Sequence, residues 1–258
     1  MLRQHQDVFM PDLELHFFDK DFNFSRGLSW YESHFSEVSG EKAIGEKTPD
    51  YLWANGVSSE GHLSDVHKNI SVCLPDVKLI IALRNPAHRA VSATKHLIST
   101  GRISPRHRID DLLLGKEESV IERFGVMEMG KYYTQVKTYL DLFGRDQVQV
   151  IVFEEDVVSD PASGLNRVCG FLGIDTSQCF HGLRERVNAF RHSKLHLVSR
   201  YYLPKLSPLT RVLNKVLPVA DYSPGEETMT VLHGHFEADT SKLFDLLRRP
   251  VPVSWIPG

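Results

Sequence analysis

The stretch Lys78–His96, KLIIALRNPAHRAVSATKH, decides how this chain is read. It opens inside a short apolar run, Val77–Leu83, which suits a strand buried on both faces. Arg84 stands at the carboxyl end of that strand. Asn85 and Pro86 follow, a good helix cap and a good first helical residue, so the chain should turn straight from strand into helix. On the helix, Arg89, Ser92 and His96 share one face, while Ala87, Ala90, Val91, Thr94 and Ile98 form a mostly apolar one. A helix N-terminus offers free N–H groups and a positive dipole end, worth about 0.3–1 kcal/mol toward an anion when exposed. With Arg84 at its mouth and Ser92 on the polar face, the pattern fits a phosphate seat. It also fits a βα unit whose arginines are merely solvated or paired with acids. Local charge favours the seat: Arg84–Arg108 holds six Lys/Arg and no acid, in a chain of net charge -3.

Length and composition set the frame. At 258 residues, 41% hydrophobic and 24% charged, the chain can bury a sizeable core and is read as a single domain, 1–258. Its slight acidity argues against non-specific nucleic-acid binding. Cys73, Cys169 and Cys179 are scattered as neither a disulfide framework nor a zinc site would place them, which points to a reducing, cytoplasmic setting. No apolar run approaches the ~20 residues of a membrane span, and no metal is expected, since the later histidines form no ligand constellation.

Outward from the central stretch, Val8–Phe18 reads as extended, with Glu14, His16 and Phe18 pointing one way and Leu15 and Phe17 the other. A carboxylate beside an imidazole can serve as an acid/base pair, or be two exposed polar residues. Phe24–Phe35 reads as a short amphipathic helix. Ala43–Lys47 reads as a strand that leaves Lys47 just before the cap-and-proline pair Thr48-Pro49. Lys47 and Arg84 would then both lie at carboxyl ends of strands, where open α/β sheets bind ligands. Ser64–Cys73, Ile109–Leu114 and Met129–Phe143 read as helices, Gln147–Phe153 as a strand, and Asp160-Pro161 as the start of a helix stopped by Gly173. Phe236–Leu247 is a last amphipathic helix, with Trp255 packing it down. Strands alternating with helices imply a mainly parallel sheet covered on both faces. Arg184–Lys215 carries eight Lys/Arg and one acid. It could reach over a ligand, bind an acidic polymer, lie on anionic lipid, or form a solvated helical lid.

Several pieces, in order, resemble the sulfotransferases, above all the heparan-sulfate sulfotransferase type and its bacterial relatives: LELHFFDKD, EKTPDYLW, RNPAHRAVSATKH, GKYYTQVKTYLDLF, VIVFEED with Asp160-Pro161, and FLGID. The resemblance implies a P-loop-like three-layer α/β fold, a mainly parallel sheet flanked by helices. It implies sulfuryl transfer from 3′-phosphoadenosine 5′-phosphosulfate (PAPS) to a hydroxyl or amine of an acceptor, a carbohydrate above all. By that likeness Arg84 and Ser92 hold the 3′-phosphate, and Arg191 and Lys194 fall where a basic loop closes over the nucleotide. Glu14 is the general base, with His16 and Lys47 beside the reacting groups, and Asp19 and His96 line the acceptor.

The residue types suit the chemistry. In-line transfer asks the protein to position reactants and neutralise oxygen charge, and a positioned base contributes about 10²–10⁴ in rate. Two departures stand out. Leu13 occupies the place of a family lysine, and the first strand with its 5′-phosphosulfate loop is expected upstream of Met1. Without that loop the chain is expected to be inactive, poorly stable and prone to aggregate. The rival reading is a non-catalytic relative that binds a nucleotide or acidic glycan through its basic blocks.

Overall fold

The computed structural model describes residues 2–53, 63–115, 118–178, 180–183 and 190–256. Cys179 and the 184–189 portion of the second basic block lie outside them. Two compact units interleave along the sequence. The first holds Met1–Asn85, Tyr132–Glu185 and Thr240–Ser254; the second holds Pro86–Lys131, Arg186–Asp239 and Trp255–Gly258.

The first unit is α/β with parallel strand pairing. β1 (Val8–Phe9) pairs with β2 (Ala43–Ile44), Val8 opposite Ala43. Between them lie α1 (Asp21–Phe24) and α2 (Leu28–Ser33). After α3 (Val66–Cys73) comes β3 (Leu79–Leu83). The chain then crosses the second unit through α4 (Pro86–Ser99), α5 (Ile109–Leu113) and α6 (Glu118–Glu122) before returning as α7 (Tyr132–Phe143) and β4 (Val148–Val152). β4 pairs with β3 over its whole length, Leu79 opposite Val148 through Leu83 opposite Val152. Branched residues suit such a ladder, and Leu83 and Val152 are fully buried.

Helix α7 buries Tyr132, Gln135, Val136, Tyr139 and Phe143, one face at helical spacing, and ends where Gly144 takes φ 77°. A π-helical turn, Phe153–Ser159, follows β4 and leads into α8 (Pro161–Leu172). Asp160 caps α8, accepting the Ser163 N–H at 3.1 Å, and Gly173 closes it in the left-handed conformation. Asp156 in the turn is buried, accepts the Val152 N–H at 2.6 Å and pairs with Arg167 of α8. This knot draws the turn's backbone so close to α8 that only a glycine, Gly164, fits beneath it.

The second unit is helical. α9 (Lys194–Tyr202), α10 (Ser207–Leu213) and the first part of α11 (Glu226–Leu247) join α4–α6. Ala87, Ala90, Leu97 and Ile98 of α4 pack with Leu112, Leu197 and Phe236 in its core. The expected apolar face of α4 is thus the buried one.

Four expectations are corrected. The helix expected over Phe24–Phe35 is broken in two, because Gly27 takes φ 80° between α1 and α2. The strand expected over Ala43–Lys47 ends at Ile44, since the Glu46 side chain turns inward to bond Thr48 and Tyr51. Val8–Phe18 does not alternate. His16 adopts φ 48°, and Leu15, Phe17 and Phe18 are all buried. Finally, α11 begins at Glu226 rather than Phe236. Two acids in its first turn complement the helix dipole, and Asp110 Oδ1 accepts from Gly225 N at 2.8 Å and Thr228 Oγ1 at 2.6 Å.

Two glycines of α8 make opposed predictions. A Cβ on Gly164 would meet the Asp156 carbonyl oxygen at 1.9 Å, whereas one on Gly170 meets nothing closer than 4.0 Å. Gly164→Ala should destabilise by about 1–3 kcal/mol or more, and exposed Gly170→Ala should stabilise by about 0.5–1 kcal/mol. Thermal unfolding of both variants checks the pair of signs.

Candidate functional site

In the first unit, the segment Leu13–Lys20 folds against the turn Glu46–Trp53, and the aromatic side chains beneath decide its path. The Phe17 ring lies 4.8 Å from Tyr31, 4.9 Å from Phe18 and 5.3 Å from Phe24, centroid to centroid. Burying neighbours Phe17 and Phe18 together requires the chain to turn, and His16 takes that turn in a left-handed conformation uncommon for residues other than glycine. Its amide group is held on both sides. His16 N donates to Thr48 Oγ1 at 3.3 Å, and Asn23 Nδ2 donates to the His16 carbonyl at 3.2 Å.

Behind this backbone sits Glu46. It accepts from Thr48 Oγ1 at 2.7 Å and from the Tyr51 hydroxyl at 2.6 Å, and the same hydroxyl accepts the Phe17 N–H at 2.9 Å. Burial pushes the Glu46 carboxyl above its ordinary value. Burial and the Glu46 charge raise the Tyr51 phenol far out of its range, so it stays a donor.

On the open side, Glu14, His16, Asp19 and Lys47 come together. Glu14 Oε1 is 2.8 Å from Lys47 Nζ, and Glu14 Oε2 is 3.8 Å from His16 Nε2. The other imidazole nitrogen, Nδ1, lies 3.0 and 3.2 Å from the two oxygens of Asp19, which is fully buried. That hydrogen bond raises the His16 pKa above its ordinary 6.5, against the opposing effect of burial. Asp19 also defines the tautomer: Nδ1–H points at the aspartate, and Nε2 is left facing Glu14. Glu14 and Lys47 are exposed to solvent. The arrangement can accept a proton from a group brought to Glu14 and hold a positive charge beside it.

Arg84 follows β3 in the same unit. Its carbonyl accepts the Tyr132 hydroxyl at 2.9 Å, its guanidinium carbon lies 5.6 Å from the Phe153 ring centroid, and its Nε is buried without a hydrogen-bond partner. A buried donor left so suits an incoming anion. The remaining expected residues belong to the second unit. Ser92 and His96 are exposed on α4, and Arg191 is exposed before α9. Lys194 is engaged within that unit, its ammonium donating to the Tyr222 hydroxyl at 2.9 Å and to the Pro105 carbonyl.

Sequence reasoning missed Lys20, Asp50 and the Glu46–Thr48–Tyr51 brace. Lys20 Nζ lies 3.5 Å from Asp19, and Asp50 lies 4.0 Å from His16 Nδ1. The spacing of Glu46, Thr48 and Tyr51 around a proline turn was the available signal. His16, Asp19 and Asp50 each offer a ligand atom within 4.8 Å of the others. A cleft of about 530 Å³ lined by Gln149, Asp156, Arg167 and Arg249 contains none of the expected catalytic or binding residues.

The raised His16 pKa gives a signed prediction. Its contribution to stability is fully present below about pH 6.5 and is lost as pH rises through the folded value. His16→Asn keeps a residue that tolerates the left-handed backbone but removes the titration. The Tm advantage of the natural chain over this variant should therefore be widest in mild acid and narrow toward alkaline pH.

The family described as Sulfotransferase domain matches residues 1–202. Heparan sulfate glucosamine 3-O-sulfotransferase 6 of Homo sapiens is 31% identical over 173 residues, which is 67% of this chain and 47% of that protein. Heparan sulfate glucosamine 3-O-sulfotransferase 3B1 of Mus musculus is 29% identical over the same length, 41% of its own chain. The chain thus spans about half the length of these relatives or less. A crystal structure of a sulfotransferase from Alicyclobacillus acidocaldarius superposes with a TM-score of 0.68 at 27% identity, covering 98% of this chain and 90% of the other. With its parallel α/β pairing and a family match across more than half its length, this chain belongs to the sulfotransferase family.

Proposed function

We propose that the chain transfers a sulfuryl group from PAPS to a hydroxyl or amine of a carbohydrate acceptor. The observation that carries this reading is the Glu14 carboxylate, with Lys47 at 2.8 Å on one oxygen and the Asp19-oriented His16 at 3.8 Å from the other. The names of the glycosaminoglycan-modifying relatives support a glycan acceptor. The orphaned Nε of Arg84 supports an anionic donor.

In the step so read, the acceptor oxygen or nitrogen bonds to sulfur while the bond from sulfur to the 5′-phosphate oxygen breaks, leaving adenosine 3′,5′-bisphosphate. The acceptor's proton passes to Glu14. As Glu14 loses its charge, Lys47 loses its partner, and its ammonium becomes available to the sulfuryl oxygens. When protonated, His16 can offer an Nε2–H to Glu14 or to the acceptor, and Asp19 holds the ring in place.

Two measurements test the proposal. Glu14→Gln keeps shape and loses the base, so turnover should fall by about 10²–10⁴ while affinity for adenosine 3′,5′-bisphosphate stays unchanged. Retention of most of the rate would transfer the base's role to His16. By calorimetry, adenosine 3′,5′-bisphosphate should bind more tightly than AMP, and Arg84→Ala should cost about ten- to a hundredfold. Equal affinity for the two nucleotides would remove Arg84 from the 3′-phosphate.

A further inference from the structure

The hairpin α9–α10 is built inside out. Its seam is polar: Thr210 Oγ1 lies 3.0 Å from His196 Nδ1 and 2.5 Å from Ser199 Oγ, and Asn214 accepts the Ser193 N–H while donating to the Arg191 carbonyl. Ser193, His196 and Ser199 are buried. The large apolar side chains face the other way. Leu209 and Val212 are each 69% exposed and Val216 is 80% exposed, with Leu203 and Leu206 also open to solvent. Of residues 194–219, only Leu197 enters the core of this unit. A solvated lid would carry the reverse pattern, since apolar side chains sort to the buried face of a surface helix.

Charge accompanies this apolar face. Between Phe190 and Ala220 stand six cations and no acid, in a chain that is net acidic; Lys194 is engaged within the unit, while Arg191, Arg200, Lys205, Arg211 and Lys215 are exposed. The Sulfotransferase domain match ends at residue 202, so the most exposed part of the hairpin lies beyond it. We propose that α9–α10 is an anionic-lipid docking surface, lying in the bilayer interface with its leucines and valines among the acyl chains and its cations at the headgroups. A sulfated glycan would satisfy the cations but gain nothing from the apolar face. A second copy would bring six more like charges against them. An anionic bilayer satisfies both features.

Sedimentation of the full chain with vesicles tests this. It should pellet with phosphatidylcholine vesicles containing about one third phosphatidylserine, not with phosphatidylcholine alone, and binding should weaken with added salt. Lys205→Ala and Arg211→Ala should each lower binding about fivefold. Leu209→Ser with Val212→Ser, which leaves every charge in place, should lower it about tenfold or more. All four side chains are exposed, and unchanged melting would verify the fold. As a second readout, Val212→Trp should shift its emission to the blue on adding the anionic vesicles. Wild-type binding by the serine variant would overturn the proposal, as would an unshifted tryptophan. Retention on heparin without binding to the anionic vesicles would overturn it in favour of an acidic glycan.

Discussion

A half-buried carboxylate holds the candidate site in shape. The two oxygens of Glu46 are answered by the hydroxyls of Thr48 and Tyr51. Those hydroxyls accept the backbone N–H groups of His16 and Phe17. The neighbouring strands β1 and β2 pair over only two residues each, too few to fix a loop by ladder bonds alone. The hydroxyl relay supplies the missing register. It places the imidazole and Glu14 opposite Lys47, on a floor of packed aromatic rings. Loss of either hydroxyl would leave part of the carboxylate's bonding unmet in a half-buried place and free the backbone it holds over the aromatic floor.

What the sequence disclosed, and what it did not, follows from range. The β3–α4 junction was legible because an apolar strand, a proline at the first helical position and a helical apolar face are local signals, and Leu79–Leu83 and Pro86–Ser99 emerged with them. The caps of α8 at Asp160 and Gly173 were legible for the same reason. The period-two reading of Val8–Phe18 failed because tertiary packing of Phe17 and Phe18 outweighed the preference for extended backbone. The early start of α11 was hidden because Asp110, which bonds its first turn, lies far back in the chain.

The site divides similarly. Glu14, His16, Asp19 and Lys47 were picked through residue type and resemblance, and the fold brings them together: Lys47 on one carboxylate oxygen, imidazole near the other, Asp19 behind. Lys194 shows the reverse. A lysine in a basic block looks available on paper, yet its ammonium is already committed to Tyr222 and Pro105. Charge counts along a sequence record how many cations exist, not how many remain unspent.

The left-handed backbone at His16 also bears on how such a chain can change over time. Histidine codons lie a single base change from those of asparagine and aspartate, two residues that also accept this conformation more readily than most. The mutations most accessible at this position are therefore among those the fold resists least, while each removes the imidazole. A chain can lose the imidazole here without losing its shape. Such a variant would keep the aromatic floor, the strand pairs and the helical unit, and would differ by one side chain.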